Sequence, residues 1–459
     1  MNKESRRLYI AALLIFLISF TIYIAFNLKD HFWIGDFKAL RGDESDYLIV
    51  TKSIVQDHDL ELENNYMNPR PEITKANWTW HAVQGVGGHL YSAHGIGLPI
   101  MISPFYFLGG IFGTKIFVSL ITSVINVLIF LILISLNKNW FSAVLCSLII
   151  GFASPILTLS THLSSDVPMA LFTCIVFYLI LRDSMNSQSL FLMGILMGFS
   201  PFLKSAYAIF GVVVLLYVIT YAYRHKCLKD STYFLIPYLA LTILYGYYQY
   251  HAFGSFFTTP QPYSYGDLVA GSLGLLFDRR FGLLVYSPII YFSIFGVDRL
   301  LKEKRRELVF GVCYFASLYI LVSSYSSWWG GWTQPARLIV PVIPLLIVPL
   351  HYFISNLPKS KLVRLAVSCS AIYSFLVNGV ILWLHAFSRN EITGLPFTLI
   401  RRLTGYDLQF LLPVFTEGGN IPTYTVVTII ILVTVVLLYC HRAERHRTET
   451  SFSDFVAHT

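Results

Sequence analysis

Charge is what this chain has least of. Only 13% of its 459 residues are Asp, Glu, Lys or Arg, against roughly 25% in an ordinary soluble domain. So few charges cannot wet the surface of a soluble fold of this length. Patterned cysteines are missing as well. Cys146, Cys174, Cys227, Cys313, Cys369 and Cys440 are scattered through apolar runs and their edges. None has a CxxC or zinc spacing, so neither a disulfide framework nor a structural zinc knot is indicated. Low-complexity segments and obvious short repeats are absent. The net charge of +8 is no nucleic-acid signal here, because basic residues in so apolar a chain report membrane orientation first. No nucleic-acid partner is expected.

What is present is a series of apolar runs: 55% of residues are hydrophobic and the mean hydropathy is +0.63. The expected fold is an all-α polytopic membrane protein of about twelve transmembrane helices. The first run, 9–26, follows Lys3, Arg6 and Arg7 but lacks a small-x-small cleavage site, so it reads as a retained span. Further spans are drawn at 116–137, 141–158, 167–182, 190–203, 205–223, 231–250, 282–297, 308–323, 338–353, 362–385 and 422–440. With the N-terminus in the cytoplasm, the basic loops 224–230, 298–307 and 355–364 and the basic tail 441–459 all fall inside, as the positive-inside rule requires. The division is then a first span (1–26), a long extracytoplasmic loop (27–115), a transmembrane core (116–353), and C-terminal helices (354–440) with an outer loop at 386–421.

Gly95–Gly113, "GIGLPIMISPFYFLGGIFG", is the ambiguous run. It is long enough to cross, yet crossing would turn every later basic loop outward. Its two prolines and five glycines also suit no continuous helix. It is read as a re-entrant or interfacial segment. The run 189–223 is read as two short spans turning near "PFLKS". Residues 44–56 form an amphipathic interfacial helix with Tyr47, Leu48, Thr51, Ile54 and Val55 on one face.

On this topology most costly polar residues reach one side: Asp43, Glu44 and Asp46; His162 and Asp166; Lys204; Asp278, Arg279 and Arg280; and Arg337. Ionisable groups at membrane depth cost about 2.5 kcal/mol or more and are usually paired or functional. Both signs at one face suggest a cavity where negative charge is supplied and neutralised. Plainer roles stand beside this one. Asp43, Asp46 and Asp166 suit helix caps, Lys204 suits snorkelling, and Arg279 and Arg280 suit headgroup anchors. Trp328, Trp329 and Trp332 suit an interfacial aromatic belt. His31, His58, His81, His89 and His94 have no HExxH spacing, and a divalent ion held by Asp43, Asp166 or His94 stays open.

Taken in order, these motifs resemble the GT-C superfamily of integral membrane glycosyltransferases. The resemblance is to bacterial proteins similar to dolichyl-phosphate-mannose protein mannosyltransferases and lipid A aminoarabinose transferases. "RGDESDYL" resembles the first-loop acidic motif, "YSAHGIGLPIMISPFYFLGG" the membrane-edge segment, "SSDVPMALF" the second acidic turn and "GFSPFLKSAYAIF" the Lys-bearing hairpin. "RRFGLLVYSPII" and "WWGGWTQPARLIVPVIPLL" resemble later segments, although Gln334-Pro335-Ala336-Arg337 departs from the Gly-Pro-Arg often found there. The likeness runs to about residue 350.

The resemblance implies a polyprenyl-phosphate-linked sugar as donor and a glycan, lipid or protein hydroxyl as acceptor. Transfer would occur at the outer face of the cytoplasmic membrane with inversion. It also implies roles. Asp43 is the general base. Lys204 and Arg337, with Arg279 or Arg280, receive the phosphate. Glu44, His162 and Asp166 orient these cations, bind sugar hydroxyls or hold a metal. Trp328, Trp329, Trp332, Tyr263 and Tyr265 stack on sugar or prenyl chain. A transporter or flippase, or a polymerase of lipid-linked saccharides, would share the spans and basic residues. A transporter's charges, however, should lie near the midplane and on both sides of it. Cysteine-accessibility mapping in intact cells should place residue 43 outside and loops 224–230, 298–307 and 355–364 inside.

Overall fold

The computed structural model describes residues 3–67, 81–182, 185–258, 260, 263–331, 335–384 and 394–416. The expected span 422–440, the basic tail, residues 386–393 and 417–421 of the outer loop, and Trp332 lie outside the described residues. Six stretches are long and apolar enough to cross a membrane: Lys3–Ile34, Gly97–Leu136, Ser205–Arg224, Arg305–Ser323, Arg337–Ser355 and Lys361–Leu384. Four shorter apolar helices accompany them. The chain is a helical membrane protein.

In chain order, α1 (Lys3–Lys29) leads to a short buried helix α2 (Glu44–Lys52) and a hairpin of β1 (Ala82–Gln84) and β2 (Leu90–Ser92). Then come α3 (Gly97–Leu136), α4 (Trp140–Phe152), α5 (Asp166–Leu181), α6 (Ser187–Leu203), α7 (Ala208–Arg224) and α8 (Ser231–Phe253). The described chain continues with α9 (Leu268–Phe277), α10 (Arg305–Ser323), α11 (Ile343–Ser355), α12 (Lys361–Leu384) and α13 (Leu395–Thr404).

The first helix is apolar outward and polar along one seam. Asn126 of α3 donates to Ser19 (2.9 Å) and Tyr23 (2.8 Å), and Tyr23 donates to the carbonyl of Gly151 (2.9 Å). Asn27 donates to Ser119 at 2.7 Å. Where lipid supplies no hydrophobic drive between helices, such bonds and close small-residue contacts hold them together. The α6–α8 contact uses the second device, with Gly194 against the Phe234 backbone and Gly198 against Leu241.

The run at 95–113 does fold back. Gly109 and Gly110 leave the helical region, Gly110 with φ +58°, a conformation that favours glycine. A straight helix would hold Phe105 and Phe117 about 18 Å apart; their ring centroids are 4.9 Å apart.

Three sequence expectations differ from the structure. The segment 141–158 is broken at Ala153–Ser154, where Pro155 starts a separate turn, Pro155–Leu159. The segment 282–297 consists of Leu283–Tyr286, a 3-10 stretch Pro288–Gly296 and the start of Val297–Glu303, because Pro288 cannot continue the first turn. The third concerns residues 44–56. Every residue of α2 is buried, and a π-helical turn, Ser53–Asp57, follows it, so it is no interfacial amphipathic helix. Its apolar face packs on α3, and Asp46 on its polar side is met by His81. Apolar α9 and the basic-ended α13 were not anticipated.

Gly95 and Gly97 bind the hairpin to the end of α6. A Cβ at Gly95 would lie 2.3 Å from the Leu203 carbonyl, and one at Gly97 2.7 Å from the Leu203 nitrogen. Gly95→Ala should therefore cost about 1–3 kcal/mol, measured as a lower melting temperature of the detergent-purified protein. An unchanged melting temperature would show that this contact has slack.

Candidate active site

The acidic loop, the α6–α7 connection and the start of the 3-10 stretch Arg337–Val342 line a cavity of about 410 Å³, and the turn before α5 joins them through the Asp166–Arg337 bond. Asp43, Lys204 and Arg337 line it together with His81 and His94. Its lining also has an apolar and aromatic part, Tyr245 and Tyr248 of α8 and Leu318, Leu321 and Val322 of α10.

Arg337 is the hub. Its Nη2 donates to Asp43 Oδ2 at 2.7 Å and its Nε to Asp166 Oδ2 at 3.1 Å. Its placement depends on local backbone geometry: Ala336 sits in the left-handed region at φ +51°, and its N–H donates to the Phe281 carbonyl at 2.9 Å. A left-handed alanine is uncommon, and this one directs the guanidinium between the two carboxylates. Asp166 also accepts from Tyr207 and Ser164. Its carboxyl bonds thus join side chains from three segments.

Asp43 precedes α2, yet its side chain makes no cap hydrogen bond; it turns to Arg337. Burial raises its carboxyl, and the charges of Arg337 and His94 outweigh that, holding it below the usual carboxylate range. The group is ionised at neutral pH. Lys204 stands in extended backbone between α6 and the turn Ser205–Tyr207. Its ammonium lies 6.0 Å from the Tyr207 ring centroid. Among the described residues, no acceptor hydrogen-bonds it.

Other expected site residues go elsewhere. Glu44 is fully buried and does not line the cavity. It pairs with Lys115 and accepts from the Leu163 N–H (2.7 Å) and the Arg41 N–H (2.7 Å). His162 lies 3.5 Å away from it. Glu44 therefore fastens the two acidic segments to each other through the Leu163 N–H. Burial raises the Glu44 carboxyl, but Lys115 and His162 bring it below its ordinary range. Arg279 donates to the Gln409 carbonyl (2.7 Å) and Arg280 to Thr416 (3.3 Å). These two hold the segment after α13 and do not line the cavity. Trp328 is buried against Gly274 of α9, with Trp329 edge-on to it. Neither reaches the cavity. Tyr263 does, whereas Tyr265 is 85% exposed and pairs in a bridge with Tyr325.

Sequence reasoning passed over Lys115 and Tyr207. Lys115 carried a usable signal, because a lone lysine opening an apolar run needs a partner. Tyr207 carried none.

No protein-family model matches the chain, and no curated protein matches it. Among solved structures, the Archaeoglobus fulgidus oligosaccharyltransferase tethered with an acceptor peptide aligns with a TM-score of 0.50 at 11% identity. That alignment covers 87% of this chain and 58% of the other, so the chain spans a little over half the length of that enzyme. ArnT from Cupriavidus metallidurans aligns in the apo state at TM-score 0.49 and 12% identity, over 92% of this chain and 72% of that one. Its complex with undecaprenyl phosphate gives 0.44 at 12%, over 93% and 77%. The chain shares its fold with that oligosaccharyltransferase.

Removing the hub leaves the buried Asp166 and the half-buried Asp43 without their shared cation. Arg337→Ala should cost about 3–5 kcal/mol, read as a fall in melting temperature. Adding Asp166→Asn should return part of the loss. Strict additivity of the two substitutions would show that the ion pair is energetically idle.

Proposed function

We propose that this protein is an inverting glycosyltransferase. It moves a sugar from a polyprenyl-phosphate-linked donor to an acceptor hydroxyl at the extracytoplasmic face of the cytoplasmic membrane. The observation carrying this reading is the pairing of unlike groups on one cavity. An ionised carboxylate, Asp43, faces the same space as Lys204, an ammonium with no hydrogen-bonded acceptor among the described residues. The wall of Leu318, Leu321, Val322, Tyr245 and Tyr248 suits an isoprenoid chain. The GT-C fold is consistent with transfer from a lipid-linked donor.

In this reading Lys204 receives the donor phosphate as a point charge, and Arg337 supplies a second cation nearby. Asp43 accepts the proton of the acceptor hydroxyl as its oxygen bonds to the anomeric carbon. The bond from that carbon to the phosphate oxygen breaks on the opposite face, and the polyprenyl phosphate departs with the electron pair. Arg337 lowers the proton affinity of Asp43, so proton transfer is late, when the attacking oxygen has become acidic. The leaving phosphate needs cations rather than a general acid. Glu44, His162 and Asp166 act as positioning residues: Glu44 and His162 through Lys115 and the loop, Asp166 through Arg337. Tyr263 is the stacking candidate that lines the cavity.

Asp43→Asn should abolish transfer from a radiolabelled polyprenyl-phosphate sugar while leaving donor binding nearly intact, because the substitution removes the base and keeps the shape. Lys204→Ala should instead weaken donor binding by about tenfold or more, the loss of one charge-assisted bond. Normal turnover in the first variant, or unchanged affinity in the second, would remove that residue from its assigned role.

A further inference from the structure

The end of the hairpin over the cavity gathers three side chains for which the proposed transfer has no use, His81, His94 and Asp46, beside Asp43. His81 precedes β1 and His94 follows β2. The Ala93 N–H donates to the His81 carbonyl at 2.9 Å, which brings the two imidazoles within 5.5 Å, centroid to centroid. His81 Nδ1 lies 2.9 Å from Asp46 Oδ2. His94 Nε2 lies 3.7 Å from that oxygen and 3.4 Å from His81 Nδ1. A tetrahedral zinc-class ion with bonds of about 2.0–2.1 Å holds its donors roughly 3.3 Å apart. The three observed separations scatter around that edge length.

The facing ring nitrogens are joined either by one shared N–H or by a metal ion that both bare nitrogens ligate. The fourth donor is at hand, since one oxygen of Asp43 lies with the other three within 4.8 Å. Tyr66 hydrogen-bonds Asp46, the kind of outer partner that fixes a ligating carboxylate. The set comes from α2 and its leading turn on one side and the hairpin on the other, so the geometry depends on the fold and not on one local motif.

We propose that Asp46, His81 and His94, with Asp43 completing the set, bind one divalent ion of the zinc class. Two imidazoles and two carboxylates suit zinc or cobalt over magnesium or calcium, which take all-oxygen shells. The site is separate from the space between Asp43 and Asp166, which the Arg337 guanidinium fills. The proposal does not depend on the transfer reaction, because its readout is the ion itself.

Full-length protein in detergent, stripped with a chelator and equilibrated with Zn²⁺ or Co²⁺, should keep about one equivalent after excess metal is removed. The Co²⁺ form should show the visible bands of a four-coordinate site. His94→Ala should reduce the bound ion to background. His81→Cys should keep it and add a near-ultraviolet sulfur-to-cobalt band, which a merely unfolded variant would not produce. Wild-type protein that keeps no ion would overturn the proposal. So would His94→Ala retaining a full equivalent, or His81→Cys binding cobalt without the sulfur band.

Discussion

One guanidinium between two carboxylates organises this end of the molecule. Arg337 reaches Asp43 across 294 positions of sequence and Asp166 across 171. It therefore binds the acidic loop, the turn before α5 and the segment entering α11 into one unit. Buried ion pairs of this kind are poor stabilisers, because desolvating the partners cancels much of the attraction. An apolar cluster would hold the same segments at less cost. The charges are retained at a lined cavity, with a lysine beside them that has no hydrogen-bonded acceptor among the described residues. That placement suits groups kept for chemistry better than groups kept for stability.

The surroundings resist rearrangement of that hub. Glu44 anchors the acidic loop to Lys115 and Leu163 from below, and Gly95 and Gly97 press the hairpin onto the last residues of α6. Lys204 follows directly from that contact. Asp43 and Lys204 are thus held on different segments, each anchored by contacts of its neighbours. Such support is what distinguishes charges poised at a reacting centre from charges at a wet surface.

That Asp43, Asp166, Lys204 and Arg337 come from separate segments of one site was expected from the sequence, and the structure brings Arg337 to Asp43 and Asp166 with Lys204 on the same cavity. The fold-back at Gly109 was legible from the alternation of basic loops and acidic turns along the chain and from its glycines. The pairing was not. Nothing local distinguishes Arg337 from Arg279 or Arg280, and only the tertiary structure sends the latter two to Gln409 and Thr416. The helix after Asp43 misled for a related reason. An apolar face shows that one side is covered; it does not show that the other side is wet. Here the hairpin supplies His81 to Asp46 and buries the polar side too. Trp328 misled by chemistry, since an aromatic beside glycines suits a ligand platform and a helix contact equally, and it is Gly274 that it meets.

Charge accounting links the hub to the proposed reaction. With Asp43, Asp166, Arg337 and Lys204 all ionised, the four groups sum to zero. A sugar linked through a phosphodiester brings one negative charge. When the glycosidic bond breaks, the departing phosphate gains a second, and Asp43 loses its own by taking the acceptor's proton. The total is unchanged, but one unit of negative charge has moved from Asp43 to the phosphate. In the proposed reaction Arg337, which bonds Asp43, stands beside both groups, and a protonated Asp43 would hold it less tightly than a carboxylate does. The guanidinium would thereby be released toward the new anion as that anion forms, so that in this reading the cluster stabilises the charge where it arrives rather than where it begins.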